Sequence, residues 1–360
     1  STYIRYLKKN NIASEIITSP GHENVQEGIK VISMEPYTGL KKCLFLFKKK
    51  LLSSPKKENA AASKVSRARS MNSIRGCRHL WEKIFKRVTA DNTSIVHIQW
   101  IWDYYPFQIE YMQRMKSNGI KIFFTFHNSV PHDGISSEAL SFYKSLPKGV
   151  SHFFCHSEYD KDTITSKYNI STDMITTLPM GNVVEIKSRE KDLAKIPTFL
   201  FFGHIRPYKG LLPLLEQMAL PSFAPKTFRF IIAGKSSPDM KRKIEDELSR
   251  HPQRKNIDLI DGYLANERIA ELFQKTPFLV LPYLSATQSA VIPLSYYLHT
   301  PAIATPEGGL KEWINDSSTG YISDNISKLI QELTHLPDID DIAETMGDAA
   351  FEFYKQNLDW

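Results

Sequence analysis

Short apolar runs alternate with stretches of helical periodicity almost throughout, and this alternation restricts the chain to parallel α/β sheets. The clearest unit is TFLFFGHIRPYKGLLPLL, 198–215. Its apolar start predicts a buried strand, Thr198–Phe202. A turn with Gly203, Arg206, Pro207, Lys209 and Gly210 follows, and Leu211, Leu212, Leu214, Leu215 and Met218 then recur at helical spacing. Further strands are predicted at Ser14–Thr18, Lys30–Met34, Ser94–Trp100, Lys121–Phe126, His152–His156 and Met174–Leu178. A second set follows at Phe228–Ala233, Ile257–Ile260, Phe278–Pro282 and Ala302–Thr305. The polar stretch GNVVEIKSREKDLAKIP, 181–197, separates the two sets. With 360 residues, the chain is long enough for two domains of about 100–200 residues each. We therefore expect two doubly wound sheets joined once, with a cleft between them.

Ligands of such sheets bind at the C-terminal ends of strands. There the turn 203–210 places Arg206 and Lys209 before a helix N-terminus, whose free N–H groups and dipole favour anions. This predicts a phosphate or diphosphate site, although a surface turn with two solvated cations has the same sequence. A second turn of this kind lies in LPYLSATQSAVIPLSYYLHTPAIATPEGGLKEW, 281–313. Thr287, Gln288 and Ser289 precede a helix pattern from about Ala290 to Leu298. Gly308 and Gly309, with Glu312 just beyond, would let backbone approach a ligand closely. Two such turns in one domain point to a nucleotide. In the first half, IKIFFTFHNSVPHDG ends a strand with His127, Asn128, His132 and Asp133 in the following loop. HIQWIWDYYPF contributes Trp100, Trp102 and Asp103 together with Tyr104 and Tyr105, either as a sugar-stacking platform or as a cover for the sheet edge.

Charge is unevenly distributed. The net charge is +7, but residues 1–90 hold 19 Lys/Arg against 6 Glu and no Asp, a balance of +13, so the other 270 residues sum to −6. Most of the excess lies in 41–87. Leu40, Leu44, Phe47 and Leu51 recur there at helical spacing, flanked by lysines. A basic amphipathic segment of this kind suits an anionic membrane surface, and equally a solvated helix over the core. No nucleic-acid motif is present. Cys43, Cys77 and Cys155 lie far apart without metal-ligand spacing, which suggests reduced thiols in a cytoplasmic protein. No apolar run approaches the ~18 residues of a membrane span. The opening STYIRYLKKNN reads as a helix, whereas doubly wound domains begin on a strand. We therefore expect a first strand to precede Ser1 in the native protein.

FFGHIRPYKG, TQSAVIPLSYYLHTPAIAT and GGLKE resemble retaining glycosyltransferases of family four, the large bacterial branch with the GT-B fold. TFHNSVPHD and TTLPMGN are similar to first-domain loops of that branch. The resemblance runs from about residue 94 to 325. It implies two Rossmann-like domains facing a central cleft: an acceptor domain over 1–182, a linker over 183–197, a nucleotide-sugar domain over 198–345, and a C-terminal helix over 346–360 crossing back. It implies a hexosyltransferase that uses a UDP- or GDP-sugar without metal or other cofactor. Its acceptor would be a glycan or lipid-linked glycan of the bacterial surface, and the enzyme would be cytoplasmic or peripheral on the inner membrane face.

By position, Arg206 and Lys209 would neutralise the leaving diphosphate, and His127 would lie near the anomeric carbon. The donor would be held by Gly203, His204, Thr287, Gln288, Ser289, Gly308, Gly309 and Glu312, with Tyr263 and Leu264 flanking the base. The acceptor would meet Asn128, His132, Asp133, Trp100, Trp102 and Asp103. The chain departs from the family in three places. His204 stands where an arginine is usual, and Ala286 and Leu294 stand where paired glutamates contact sugar and ribose. Two other readings therefore stay open. One is an inverting transferase or epimerase of the same fold, with Asp103 or Asp133 as base. The other is a non-catalytic nucleotide-sugar-binding subunit. The charge pattern yields one direct test. Changing Lys48, Lys49 and Lys50 to Glu should weaken co-sedimentation with anionic liposomes, and unchanged sedimentation would refute a membrane role for this segment.

Overall fold

The computed structural model describes residues 61–101, 104–130, 134–181, 186 and 191–359, the strands 15–18 and 30–33 as backbone, and side chains from residue 74 onward. Strands β1 (Glu15–Thr18) and β2 (Lys30–Ser33) pair in parallel. A long helix α1 (Ala61–Ala90) follows. The first-domain sheet then runs β3 (Ile95–Ile98), β4 (Lys121–Thr125), β5 (His152–Cys155) and β6 (Ile175–Thr177), all parallel and in spatial order. Helices α2 (Pro106–Ser117), α3 (Ser137–Ser145) and α4 (Glu158–Tyr168) connect these strands. Of the expected basic segment, 41–60 lies outside the described residues. On α1, Cys77, Trp81 and Val88 join the domain core while Arg75, Arg78, Lys83 and Lys86 are exposed.

The second domain is a six-stranded parallel sheet. Its strands are β7 (Thr198–Phe202), β8 (Arg229–Gly234), β9 (Ile257–Asp261), β10 (Phe278–Leu281), β11 (Ala302–Ala304) and β12 (Gly320–Ile322). Their spatial order is β12-β11-β10-β7-β8-β9. The last strand, GYI, is too short and too weakly apolar for periodicity to reveal. The central strands are continuous apolar runs because helices cover both faces. Phe199, Leu200, Phe278, Leu279, Val280 and Leu281 are fully buried. Helices α5 (Leu211–Met218), α6 (Pro238–Ser249), α7 (Asn266–Gln274), α8 (Val291–Tyr297), α9 (Leu310–Trp313), α10 (Ile326–Leu333) and α11 (Ile339–Asn357) complete the domain.

The chain order reverses between β7 and β10, so the crevice at their C-terminal ends is the switch point where doubly wound sheets take ligands. The turns after β7 and β10 flank that crevice. Tyr208 and Leu284 are 76 residues apart in sequence, yet the Leu284 amide donates to the Tyr208 carbonyl at 2.8 Å.

The stretch between the domains fastens to the second. The buried Lys191 ammonium donates to the Phe273 and Thr276 carbonyls and to Thr300 Oγ1 (2.8, 3.0 and 2.6 Å). Burial pushes its pKa down to about 7. Helix α11 packs on α8, with Gly347 against the His299 carbonyl. Leu358, just past its end, lines a small pocket with His156 and Met180 of the first domain. Among the described residues, no helix is long and apolar enough to cross a membrane.

Gly210 shows how tightly the switch point is built. Its φ is +68°, and an added Cβ would collide with the Pro282 carbonyl oxygen. Gly210→Ala combines left-handed strain with overpacking. It should cost about 2–4 kcal/mol, measured as a lower denaturation midpoint.

Candidate active site

The phosphate-type turn begins at Gly203 (φ +109°). Arg206 and Lys209 sit on the short 3₁₀ turn that precedes α5. Arg206 is exposed. Lys209 is only 8% exposed, its Nζ 5.1 Å from the centre of the Tyr283 ring. Among the described residues, no carboxylate lies within ion-pair distance of either cation. Among the described residues, neither cation is therefore neutralised by a carboxylate. His204 lies beside the same group of cations. Burial first, then Arg206, Lys209 and Lys235, lower its pKa. Its ring meets Tyr263 edge-on at 5.8 Å. Tyr263 is 76% exposed and carries the Lys235 ammonium 4.4 Å over its face. Leu264 is half-buried against the second-domain core.

The side chains of the second turn reach across the cleft. Thr287 Oγ1 donates to Asn128 Oδ1 at 3.1 Å, and Gln288 Nε2 donates to the His127 carbonyl at 3.3 Å. The Ser157 hydroxyl donates to the Thr287 carbonyl. Ser289 Oγ lies 3.3 Å from the Tyr283 hydroxyl. Glu312 reaches across the cleft, and its carboxylate accepts from the Glu158 and Tyr159 amides, both at 2.7 Å. These amides open α4, where a carboxylate satisfies free N–H groups and the helix dipole together. The glycine pair serves the same seam. A side chain on Gly308 would strike the Ala286 carbonyl, and one on Gly309 would strike the Thr287 carbonyl and crowd Ser157. Close approach was expected at these glycines, and what approaches is protein backbone.

On the first-domain side, β4 ends at Thr125 and delivers His127 into the cleft. Tyr168 on α4 holds the loop by donating to the Ser129 carbonyl at 2.6 Å. Trp100 stacks on His127 (4.6 Å, 16°) while remaining 54% exposed. His127 also contacts Gln99 and His156. Burial, then the neighbouring His156 and His97, push its pKa down to about 4. Trp102, Asp103, His132 and Asp133 lie outside the described residues. Sequence reasoning missed Gln99, His156, Ser157 and Lys235. Sequence reading places His156 inside a strand, whereas β5 stops at Cys155 and frees its ring for the cleft.

Residues 196–338 match the model of the family described as Glycosyl transferases group 1. A curated relative, an uncharacterized glycosyltransferase of Methanocaldococcus jannaschii, is 28% identical over 159 residues, or 44% of this chain. The matched stretch spans 43% of that relative's length. A glycosyltransferase from Rickettsia africae superposes with a TM-score of 0.69 at 18% identity, covering 99% of this chain and 89% of its own. Anabaena HepE, solved with UDP and glucose, superposes with a TM-score of 0.64 at 12% identity, covering 78% of this chain and 77% of its own. The chain has the GT-B fold, with two Rossmann-like domains facing a central cleft.

A buried acid sits behind the seam. Asp160 in the first turn of α4 is fully buried, with only Ser129 and Ser157 beside its carboxylate and no ion-pair partner among the described residues. Burial raises its pKa to about 6. The nearby Ser129 and Ser157 temper this shift, and the Glu312 charge adds to it. The folded state therefore prefers the protonated acid. Its stabilising contribution is complete below about pH 4 and is lost as pH rises through about 6. Asp160→Asn should raise the melting temperature at pH 8, by about 3 kcal/mol of stability at most. The gain should vanish near pH 4, and a pH-independent effect would refute this account.

Proposed function

We propose that this chain is a retaining glycosyltransferase that moves a hexose from a nucleotide-sugar to a glycan or lipid-linked glycan acceptor. The observation that carries this reading is Lys209, a lysine only 8% exposed at the switch point with no carboxylate partner among the described residues. Arg206 lies on the same turn. A leaving nucleoside diphosphate is an anion that develops charge during the reaction, and preorganised cations at a helix start stabilise it. The match of 196–338 to the group 1 transferase family supports the same chemistry. So does the fold shared with HepE, which was solved with UDP and with UDP-glucose.

In this reaction the bond between the sugar's anomeric carbon and the diphosphate oxygen breaks while Lys209 and Arg206 take up the negative charge. The acceptor hydroxyl attacks the same face, and its proton passes to the departing diphosphate. Tyr263 and Lys235 lie at the edge of the cation group, where a base would rest. His127 and Asn128 face the donor side from the first domain. No metal step is invoked, because Arg206 and Lys209 supply the countercharge. Assembly of bacterial surface polysaccharide at the inner membrane face is the setting we propose, with the basic segment as the docking element.

A second reading, a nucleotide-sugar-binding subunit without turnover, draws on Leu294. Where the resemblance puts a ribose-binding carboxylate, Leu294 is buried in the second-domain core, and Ala286 replaces the other acid. Thermal-shift titration with UDP-, GDP- and ADP-sugars separates binding from no binding, because a ligand specific to the folded state raises its melting point. Turnover then separates enzyme from subunit. Lys209→Ala should cut transfer about 100-fold or more. Near-native turnover in that variant would remove the diphosphate role.

A further inference from the structure

The end of β3, the loop after β4 and the end of β5 form a row of polar groups, half-buried at His97, Gln99 and His127 and buried at His156, that the donor site does not account for. His156 Nδ1 lies 2.9 Å from the Leu178 carbonyl, and His156 Nε2 lies 3.0 Å from His127 Nδ1. His127 Nε2 lies 2.8 Å from Gln99 Oε1, and Gln99 Nε2 lies 3.1 Å from His97 Nε2. His97 Nε2 in turn meets Thr125 Oγ1 at 2.7 Å. The row from Leu178 to Gln99 Oε1 contains three contacts, and each needs one proton. Two neutral imidazoles bring two.

A carbonyl only accepts, so His156 carries its proton on Nδ1. Its Nε2 then accepts, and His127 must carry its proton on Nδ1. With both rings neutral, His127 Nε2 is left with its lone pair. The Gln99 amide meets it by turning its nitrogen inward and its oxygen toward His97, a rotation that ordinary structural data do not distinguish. Neutrality is the favoured state, since burial lowers the pKa of both rings. Among the described residues, the polar and aromatic groups facing the pair are His97 and Gln99 from β3 and its end, Trp100 over the His127 ring, and Gln288, Ser289 and Trp313 from the second domain.

We propose that His156 is a positioning residue for the transfer reaction. Held by the Leu178 carbonyl, it fixes His127 in the tautomer protonated on Nδ1, so that Nε2 is offered as an acceptor to a substrate hydroxyl in place of the Gln99 amide. The residue at 156 must donate at one end and accept at the other. An amide side chain can do both, and an aliphatic one can do neither. The role in transfer rests on the function proposed above, whereas the tautomer assignment does not.

Two measurements test it. Long-range ¹H–¹⁵N correlation of histidine-labelled protein, with the His127 signals assigned by their loss in His127→Gln, should show His127 protonated on Nδ1. In His156→Leu it should shift toward the Nε2-protonated form that free imidazole side chains favour in water. Native His127 protonated on Nε2, or a tautomer unchanged in His156→Leu, would overturn the proposal. In transfer assays, His156→Leu should lower kcat about 10- to 100-fold, the scale of losing a partner that orients a functional histidine. The KM for the donor should hold, and His156→Gln should restore most of the rate. Equal loss in the Leu and Gln variants would also overturn it. Melting curves of both variants identify a fold defect, and if His156→Leu fails to fold, His156→Gln against His156→Met supplies the same comparison. If the native protein transfers no sugar, the functional reading fails, and the tautomer measurement alone still decides what His156 does.

Discussion

The switch point of the second domain rests on one close approach of backbone. The turn after β7 passes beneath the turn after β10, with Gly210 under the Pro282 carbonyl and the Leu284 amide on the Tyr208 carbonyl. No side chain fits between the two strands' exits. Lys209 is only 8% exposed because this approach packs it beside Tyr283, its Nζ 5.1 Å from the ring centre. Had the turns stood further apart, the same lysine would be a solvated surface charge.

Much of this was legible in the chain. Strands such as Thr198–Phe202 and Phe278–Leu281 are unbroken apolar runs, because a parallel sheet covered on both faces leaves no polar side. The two turns at strand ends stood out for the same reason, since polar and glycine residues interrupt apolar runs abruptly. What could not be read was pairing across distance. Nothing local in TQS announces that Thr287 and Gln288 will bond to Asn128 and the His127 carbonyl. His156 was hidden for a related reason. It directly follows the strand run HFFC and carries no periodic signal of its own; only the third dimension puts its ring against His127. The short strand Gly320–Ile322 escaped because three residues at a sheet edge need no strong apolar pattern.

The two domains meet through groups that are mostly backbone. The carbonyls of His127 and Thr287 and the amides of Glu158 and Tyr159 are joined to side chains from the opposite domain. Such contacts are directional and short, and they fix register between domains more sharply than an apolar interface of similar size would. The buried Asp160 lies directly behind them. The seam thus carries both a directional set of hydrogen bonds and a local electrostatic cost.

The Glu312 contact has an uneven consequence for how the sequence can drift. On one side it uses two main-chain amides, which every residue except proline supplies. On the other it uses one carboxylate. Side chains at 158 and 159 can therefore change freely without loosening the bridge, while position 312 bears the whole chemical requirement. Mutational tolerance across this cleft should be lopsided, permissive on the helix and strict on the loop.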